Sequence, residues 1–293
     1  MKSVTLLILF SCFMFLLNST LVYGVCPEDD TYINSNTVLS GEFCSAIDKN
    51  GNGVLILNSS NIILDCNGTT LKGDGSGWGI HIPCNIDLKN ITIKNCKIKD
   101  YIYGIEVCET TKTKIFDNHV SGTSVAGIAL CHNASGNEIH GNVLEYNDDT
   151  GIRVLDGGYN KIYKNEIRFN INGIVVLTEV ESFCEGNTIT ENFISNCETG
   201  VFYQSCKNGV ISGNMITNSS KYGIFFNAPK GVNKVYNNSI ALSGVGDIYY
   251  ANDFILDSQE THTVGIFNLP FMLIPISILL ISIFLIYKLR VRK

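Results

Sequence analysis

Apolar and polar residues alternate in short runs through the middle of the chain, and the runs return at regular intervals. Asn160-Lys161-Ile162-Tyr163 and Asn165-Glu166-Ile167 are typical. An alternation of period two over so few residues is too short for a helix and predicts strands. The longest-lived pattern is Gly-Ile-x-apolar. It reads Gly79-Ile80-His81-Ile82, Gly104-Ile105-Glu106-Val107, Gly127-Ile128-Ala129-Leu130, Gly151-Ile152-Arg153-Val154, Gly173-Ile174-Val175-Val176, Gly200-Val201-Phe202-Tyr203 and Gly223-Ile224-Phe225-Phe226, with a degenerate last copy at Gly246-Asp247-Ile248-Tyr249. The steps are 25, 23, 24, 22, 27, 23 and 23 residues. A second phrase, Asn-x-apolar, keeps pace at Asn118, Asn142, Asn165, Asn192, Asn214 and Asn238.

Three short strands per repeat, joined by Gly, Asn and Asp turns, make one coil of a parallel solenoid whose successive coils stack about 4.8 Å apart. Parallel crossovers are right-handed for steric reasons. The expected fold is therefore all-β, a right-handed parallel β-helix of about eight coils over residues 54–250, preceded by a cap at 25–53. Side chains alternate across a strand, so Ile105 and Val107, or Ile152 and Val154, point inward. The repeating Gly marks a positive φ or a place too close for a Cβ, and the repeating Asn suits turns and side-chain amide ladders.

The two ends read differently. Met1 and Lys2 precede an apolar run from Leu6 to Leu17 and a small-residue site ending at Gly24, the anatomy of a secretory signal peptide at 1–24. Val25 stands where a lipidated Cys26 would need a small residue. Leu269 to Tyr287 carries no charge and is extended upstream by Val264 to Phe267, which is long enough to span a bilayer. A juxtamembrane linker at 251–263 precedes this transmembrane helix at 264–287, and the basic tail 288–293 follows it. By the positive-inside rule the tail is cytoplasmic and the repeats lie outside, on the cell surface.

Between the ends, all 27 acidic residues face 16 of the 21 basic ones, a formal −11. Such a surface argues against nucleic acid and anionic lipid as partners and fits neutral glycans, cations or a polycationic partner; glycan or envelope components are the expected partners. Ten cysteines remain after Cys12 is removed with the signal, as suits an exported chain. Cys108 and Cys131 stand four residues after a repeat Gly, and Cys184 and Cys206 eight residues before a repeat Asn. Each couple is expected to stack and bridge adjacent coils, and Cys26 with Cys44 to close the cap. Cys66, Cys84, Cys96 and Cys197 have no assigned partner. Sequons at Asn58, Asn67, Asn90, Asn133, Asn218 and Asn237 are candidate N-glycan acceptors.

The opening of the ladder, Asn61-Ile62-Ile63-Leu64-Asp65-Cys66-Asn67-Gly68 leading into Gly79-Ile80, together with the later Gly-Ile and Asn-x-Ile phrases, resembles the right-handed parallel β-helix repeat family. That family includes NosD-like periplasmic proteins and shares its fold with pectate lyases, polygalacturonases and alginate epimerases. The resemblance covers residues 54–250 and is specific for fold rather than activity.

Any chemistry must come from outward positions. His81, Glu106, Ala129, Arg153, Val175, Phe202 and Phe225 form one outward column, with Trp78, Tyr103 and Tyr222 just before the Gly. Trp78, Tyr103, Phe202, Tyr222 and Phe225 are the candidate glycan-stacking residues; the alternative is that they pack under loops. Asp148, Asp149 and Arg153, with Glu145 and Asp156 nearby, are the candidate catalytic cluster, since the hydrolases that the resemblance brings in use grouped carboxylates and the lyases an Arg with bound calcium. The diagnostic phrases of those enzymes are absent. His119, His132 and His140 fall on neighbouring coils and are weighed as ligands for Zn²⁺ or Cu²⁺; ordinary surface variation accounts for them, and no metal site is assigned. No cofactor is predicted, with Ca²⁺ or copper the ions to test. The expected function is a membrane-anchored surface β-helix that binds glycans or serves a structural envelope role. The alternatives are a polysaccharide lyase, hydrolase or epimerase, and a NosD-like metal-handling accessory protein.

Overall fold

The computed structural model describes residues 21–23, 26–179 and 183–251. Residues 1–20, 24–25, 180–182 and everything from 252 onward, including the expected span 264–287, lie outside the described residues. Among the described residues every regular element is a strand, so they contain no helix long and apolar enough to cross a membrane.

The strands form three parallel sheets of ten, nine and ten strands, and consecutive strands of one sheet are always three apart in chain order within the repeats. This is a parallel β-helix of about nine turns. One turn comprises, for example, Lys114–Phe116 in the first sheet, His119–Ser121 in the second and Ala126–Cys131 in the third. A coil precedes the first Gly-Ile phrase, built from Thr31–Ile33, Thr37–Leu39 and Phe43–Ser45 within the expected cap. Leu21–Tyr23 pairs with Thr37–Leu39 at the edge of the first sheet, inside the segment that signal cleavage would remove.

The core is built of in-register columns. Ile105, Ile128, Ile152 and Ile174 from the third sheet, Val120, Leu144, Ile167 and Ile194 from the second, and Ile115, Ile139, Ile162 and Ile189 from the first are all fully buried. A one-residue slip would turn every one of them outward, so the apolar spacing also specifies the pairing. The repeat glycines answer to close packing and not to backbone twist. A Cβ on Gly151 would meet the Gly173 carbonyl oxygen and Ile167 Cγ2, each at 2.7 Å, and the same clash with the next coil's glycine recurs at Gly104, Gly127 and Gly173. Gly246, with no coil above it in the described chain, has nothing within 4 Å.

The repeat asparagines form a buried amide ladder. Each Nδ2 donates to the Oδ1 one coil on, from Asn118 through Asn142, Asn165, Asn192 and Asn214 to Asn238, at 2.9–3.0 Å. Each Oδ1 also accepts the backbone N–H of the preceding ladder Asn, as in Asn142 N to Asn165 Oδ1 at 3.1 Å. The corners of the solenoid thus satisfy polar groups that burial would otherwise leave unpaired. All six sequon asparagines are exposed.

Disulfides join Cys26 to Cys44, Cys66 to Cys96 and Cys184 to Cys206, with Cα separations of 5.3, 4.7 and 4.9 Å. The second of these has no signature in the repeat spacing. The expected Cys108–Cys131 bridge is corrected: the two are register partners on adjacent strands but both remain thiols. Their stacking meets the distance requirement, yet the Cys131 thiol is turned to donate to Glu106 Oε1 at 3.5 Å.

Candidate functional site: the outer face of the third sheet

The third sheet differs from the other two in strand length. From Tyr103–Cys108 to Gly246–Ala251 its strands run six residues, against three in the first and second sheets. Each coil therefore presents several outward positions on this sheet, and the register lines them up. His81, Glu106, Ala129, Arg153, Val175, Phe202, Phe225 and Tyr249 are successive partners, as are Trp78, Tyr103, Ala126, Thr150, Asn172, Thr199 and Tyr222. The column expected from sequence is thus present. Its middle is not open, however: Ala126, Ala129 and Val175 are buried, so the small residues form a floor between larger neighbours.

At the C-terminal end of this face the aromatic rings stack on one another. Tyr222 lies 4.8 Å from Phe225 and 4.9 Å from Tyr249, and Phe202 meets Phe225 tilted at 5.3 Å. Tyr249, which the degenerate last phrase made easy to pass over, is the most open of them at 43% exposed. At the other end Trp78 stacks against His81 at 5.3 Å and Tyr103 at 6.1 Å. The expected stacking residues therefore divide into two groups on one face, Trp78 with Tyr103 and Phe202 with Tyr222 and Phe225.

Between Trp78 and the alanine floor sits Glu106, 9% exposed. Its Oε2 is 3.5 Å from His81 Nε2, and His81 Nδ1 is 2.8 Å from the Asn52 carbonyl. Burial raises the Glu106 carboxyl above the usual carboxylate range and outweighs the opposing pull of His81 and the Cys131 thiol. Tyr103 is likewise raised by burial, with the Glu106 charge adding to it. Arg153 reaches Glu179 at 3.6 Å through its Nη2, while its buried Nε has no partner among the described residues.

Beside Glu106 lies a cluster of thiols. Cys108 and Cys131 end adjacent strands, and Cys84 follows the strand Trp78–Ile82 one coil below. Cys84, Cys108 and His132 have ligand atoms within 4.8 Å of one another, and so do His81, Glu106 and Cys108. Cys108 is thus common to both groups. Its hydrogen bond with Cys131, then burial, pushes the Cys108 thiol far above its ordinary value. Burial also raises Cys84.

The carboxylates near Asp149 do not converge. Asp148 is exposed and Asp149 accepts a hydrogen bond from Asn172 at 3.1 Å. Glu145 faces out from the second sheet, where it pairs with His119 at 2.8 Å and Arg168 at 2.7 Å. Asp156 accepts from Thr178 at 2.6 Å at the far end of the third-sheet strand. The chain turns a corner between Glu145 and Arg153, so nearness in sequence places the groups on different faces. No all-carboxylate group that would suit Ca²⁺ is found among the described residues. The three weighed histidines part for the same reason. His119 belongs to the second sheet, His140 to the first, stacked between Phe116 and Tyr163 at 5.0 and 4.7 Å, and only His132 joins the thiols.

Glu106 and His81 stood in the expected column, but the depth of their burial had no sequence signal. Cys84 lies five residues after its repeat Gly where Cys108 and Cys131 lie four, and that offset hid its place in the stack.

A family model for the right handed beta helix region matches residues 25–183, over half of the chain, and one for the periplasmic copper-binding protein NosD matches residues 170–253. Among curated protein sequences none matches. Solved structures share the fold at low identity. A variant of the periplasmic alginate epimerase AlgG superposes with a TM-score of 0.61 at 16% identity, covering 78% of this chain and 66% of that one. The enzymatically active domain of bacteriophage CBA120 tailspike protein 2 gives 0.59 at 10%, covering 80% and 42%. DFA-IIIase from Arthrobacter chlorophenolicus gives 0.55 at 9%, covering 79% and 76%. The chain therefore spans a little under two thirds of the epimerase and under half of the tailspike domain.

Proposed function

Because this chain belongs to the right-handed β-helix family, we propose that the outer face of its third sheet binds an extended glycan, with the protein displayed at the cell surface through the apolar span 264–287. One observation carries the reading: a straight, in-register row of outward positions runs from Trp78 to Tyr249, with stacked aromatics at each end and hydrogen-bonding groups between. A linear polymer of repeating rings matches a surface that repeats along one axis. Aromatic rings supply apolar faces for sugars, while the half-buried Arg153 and Asn172 supply polar contacts. The alginate epimerase, whose name declares a polysaccharide substrate, supports this choice of ligand.

A second reading, that the face also transforms its carbohydrate, is favoured by Glu106. A buried carboxyl raised above its usual range, with an imidazole 3.5 Å away, is an acid and base pair of the sort such chemistry needs. Glu106 and His81 fit this role better than Asp148, Asp149 and Arg153, whose charged groups do not converge.

The test is a glycan array, with a sugar-release assay, on the full chain and four variants. Phe225→Ala and Tyr249→Ala should each weaken binding by roughly three- to tenfold, the scale of one aromatic contact, and Arg153→Ala should weaken it as well. Glu106→Gln should leave affinity within about twofold if the face only binds. Loss of product release by Glu106→Gln at unchanged affinity would move the conclusion to the second reading. A chain that retains no glycan on the array, or four variants indistinguishable from the parent, refutes the binding face.

A further inference from the structure

Six cysteines are bridged, whereas Cys84, Cys108 and Cys131, stacked on three successive coils, are not. Cys108 and Cys131 are register partners on adjacent strands, and the sulfurs of Cys84 and Cys108 lie within 4.8 Å of each other. Cys197, the fourth free thiol among the described residues, is not part of this stack. His132, directly after Cys131, is exposed with a positive φ of 50°. It completes a group with Cys84 and Cys108 whose donor atoms all lie within 4.8 Å.

We propose that Cys84, Cys108 and His132 form a binding site for one soft, low-coordinate ion, Cu(I). Two thiolates and one imidazole are the donor set that soft d¹⁰ ions prefer, and three donors at the corners of a triangle suit a three-coordinate ion. Bonds of about 2.0 to 2.3 Å, as thiolates and imidazoles make to such ions, would draw these donors together by about 1 Å at most. Cys84 and His132 sit at chain turns beyond the strand ends, where a movement of that size leaves the sheet register intact. The ion would be reached from solvent, since Cys84 is half-buried and His132 exposed while only Cys108 is buried. Entry releases the two thiol protons to water, and no bond other than S–H is broken.

The site is separate from the stretch matched by the copper-binding family model, residues 170–253. Within that stretch, among the described residues, no three His, Cys, Asp or Glu side chains come close enough to share an ion. The assignment therefore rests on this chain's own donors at 84, 108 and 132. It does not rest on the glycan reading, whose tested contacts, Phe225, Tyr249 and Arg153, include none of the three donors.

The experiment is an anaerobic competition between the full chain, its three disulfides intact, and bathocuproine disulfonate for Cu(I). The wild type should withdraw one equivalent. Cys84→Ser, Cys108→Ser and His132→Ala should each weaken that uptake at least tenfold. Cys197→Ser, at a lone buried thiol elsewhere, should leave it within about twofold. Cys131→Ser should also retain one equivalent, and it removes the thiol best placed to oxidise against Cys108. Uptake by Cys131→Ser alone, with a Cys108–Cys131 bridge mapped in the wild type, would support the site and show that the bridge closes it. In the unaltered chain, bound Cu(I) should protect Cys84 and Cys108 from alkylation by iodoacetamide, a readout that needs no variant to fold. Failure of both wild type and Cys131→Ser to take Cu(I) from the competitor would overturn the proposal. So would uptake of Zn²⁺ with exclusion of Cu(I), or a loss in Cys197→Ser equal to that in Cys108→Ser.

Discussion

Asn165 occupies the middle of the amide ladder, and its replacement by Ala measures what the ladder contributes. Its Nδ2 donates to the carbonyls of Ile139 and Tyr163 at 3.0 and 3.2 Å and to Asn192 Oδ1 at 2.9 Å. Its Oδ1 accepts from the backbone N–H and the Nδ2 of Asn142 at 3.1 and 2.9 Å. The Ala variant deprives the Asn142 N–H of its side-chain acceptor in a fully buried corner, a loss of about 1 to 3 kcal/mol by itself, and forfeits four further bonds worth roughly 0.5 to 1.5 kcal/mol each before relaxation. Some carbonyls keep other donors, so a net loss of about 3 to 5 kcal/mol is expected. Asn238 ends the ladder, is only half-buried and donates to no further side-chain amide among the described residues; its Ala variant, which takes the same acceptor from Asn214 in a more solvated corner, should cost about 1 to 2 kcal/mol. Urea unfolding followed by circular dichroism reads both values from the midpoint, provided the slope is unchanged. Asn165→Asp separates shape from hydrogen bonding, because it keeps the size but removes both N–H donors and adds a charge, and it should be at least as damaging as Ala. Equal losses at Asn165 and Asn238, or an innocuous Asp, would refute the claim that continuity of the ladder stabilises the fold.

Two further outcomes follow from the packing. Gly151→Ala drives a Cβ to 2.7 Å from the next coil's backbone and should cost at least about 1 to 3 kcal/mol, while Gly246→Ala, at the same place in its phrase but with nothing within 4 Å, should fall within about 0.5 kcal/mol of the parent; the same urea measurement compares them. Glu106 has a raised folded-state pKa, so the folded chain holds a proton that the unfolded chain releases, and its contribution is most favourable below about pH 4.5 and is lost as pH rises toward the folded value. Glu106→Gln should therefore gain stability relative to the parent as pH rises from 4 to 7, and a difference between the two chains that stays flat over that window would remove the inference of a protonated, buried carboxyl.

Most of the fold was legible because its causes repeat. Ile152 and Val154 point inward for the same reason as Ile105 and Val107, and seven copies of one phrase average away the ambiguity that a single short strand carries. The role of the repeat glycines was half legible: a close approach and a positive φ both ask for Gly, and only the folded packing shows that Gly151 faces a carbonyl of the coil above. What did not repeat was hard to read. Cys66 and Cys96 lie 30 residues apart, outside every step of the Gly ladder, and Cys84 is one residue out of phase with Cys108. Asp149 and Glu145 misled for the opposite reason, since a corner of the solenoid separates residues that the sequence prints side by side.

The division of labour within a coil explains why chemistry gathers on the third sheet. Inward positions must stay apolar and of nearly constant size in every coil, because each packs only on its neighbours above and below. Outward positions carry no such requirement. A three-residue strand such as Ile63–Asp65 or Lys97–Lys99 offers only its flanking side chains to solvent, whereas a strand such as Tyr103–Cys108 adds positions that are neither core nor corner. Those positions hold the rings, the Glu106 carboxyl and the thiols alike. Register then converts a residue's place in its repeat into a place on a straight line, so that Cys108 meets Cys131 and Phe202 meets Phe225 without any loop to bring them together. An ion site at one end and a polymer face along the rest can therefore coexist on one sheet, and each can be removed by substitution without disturbing the columns that hold the coils in register.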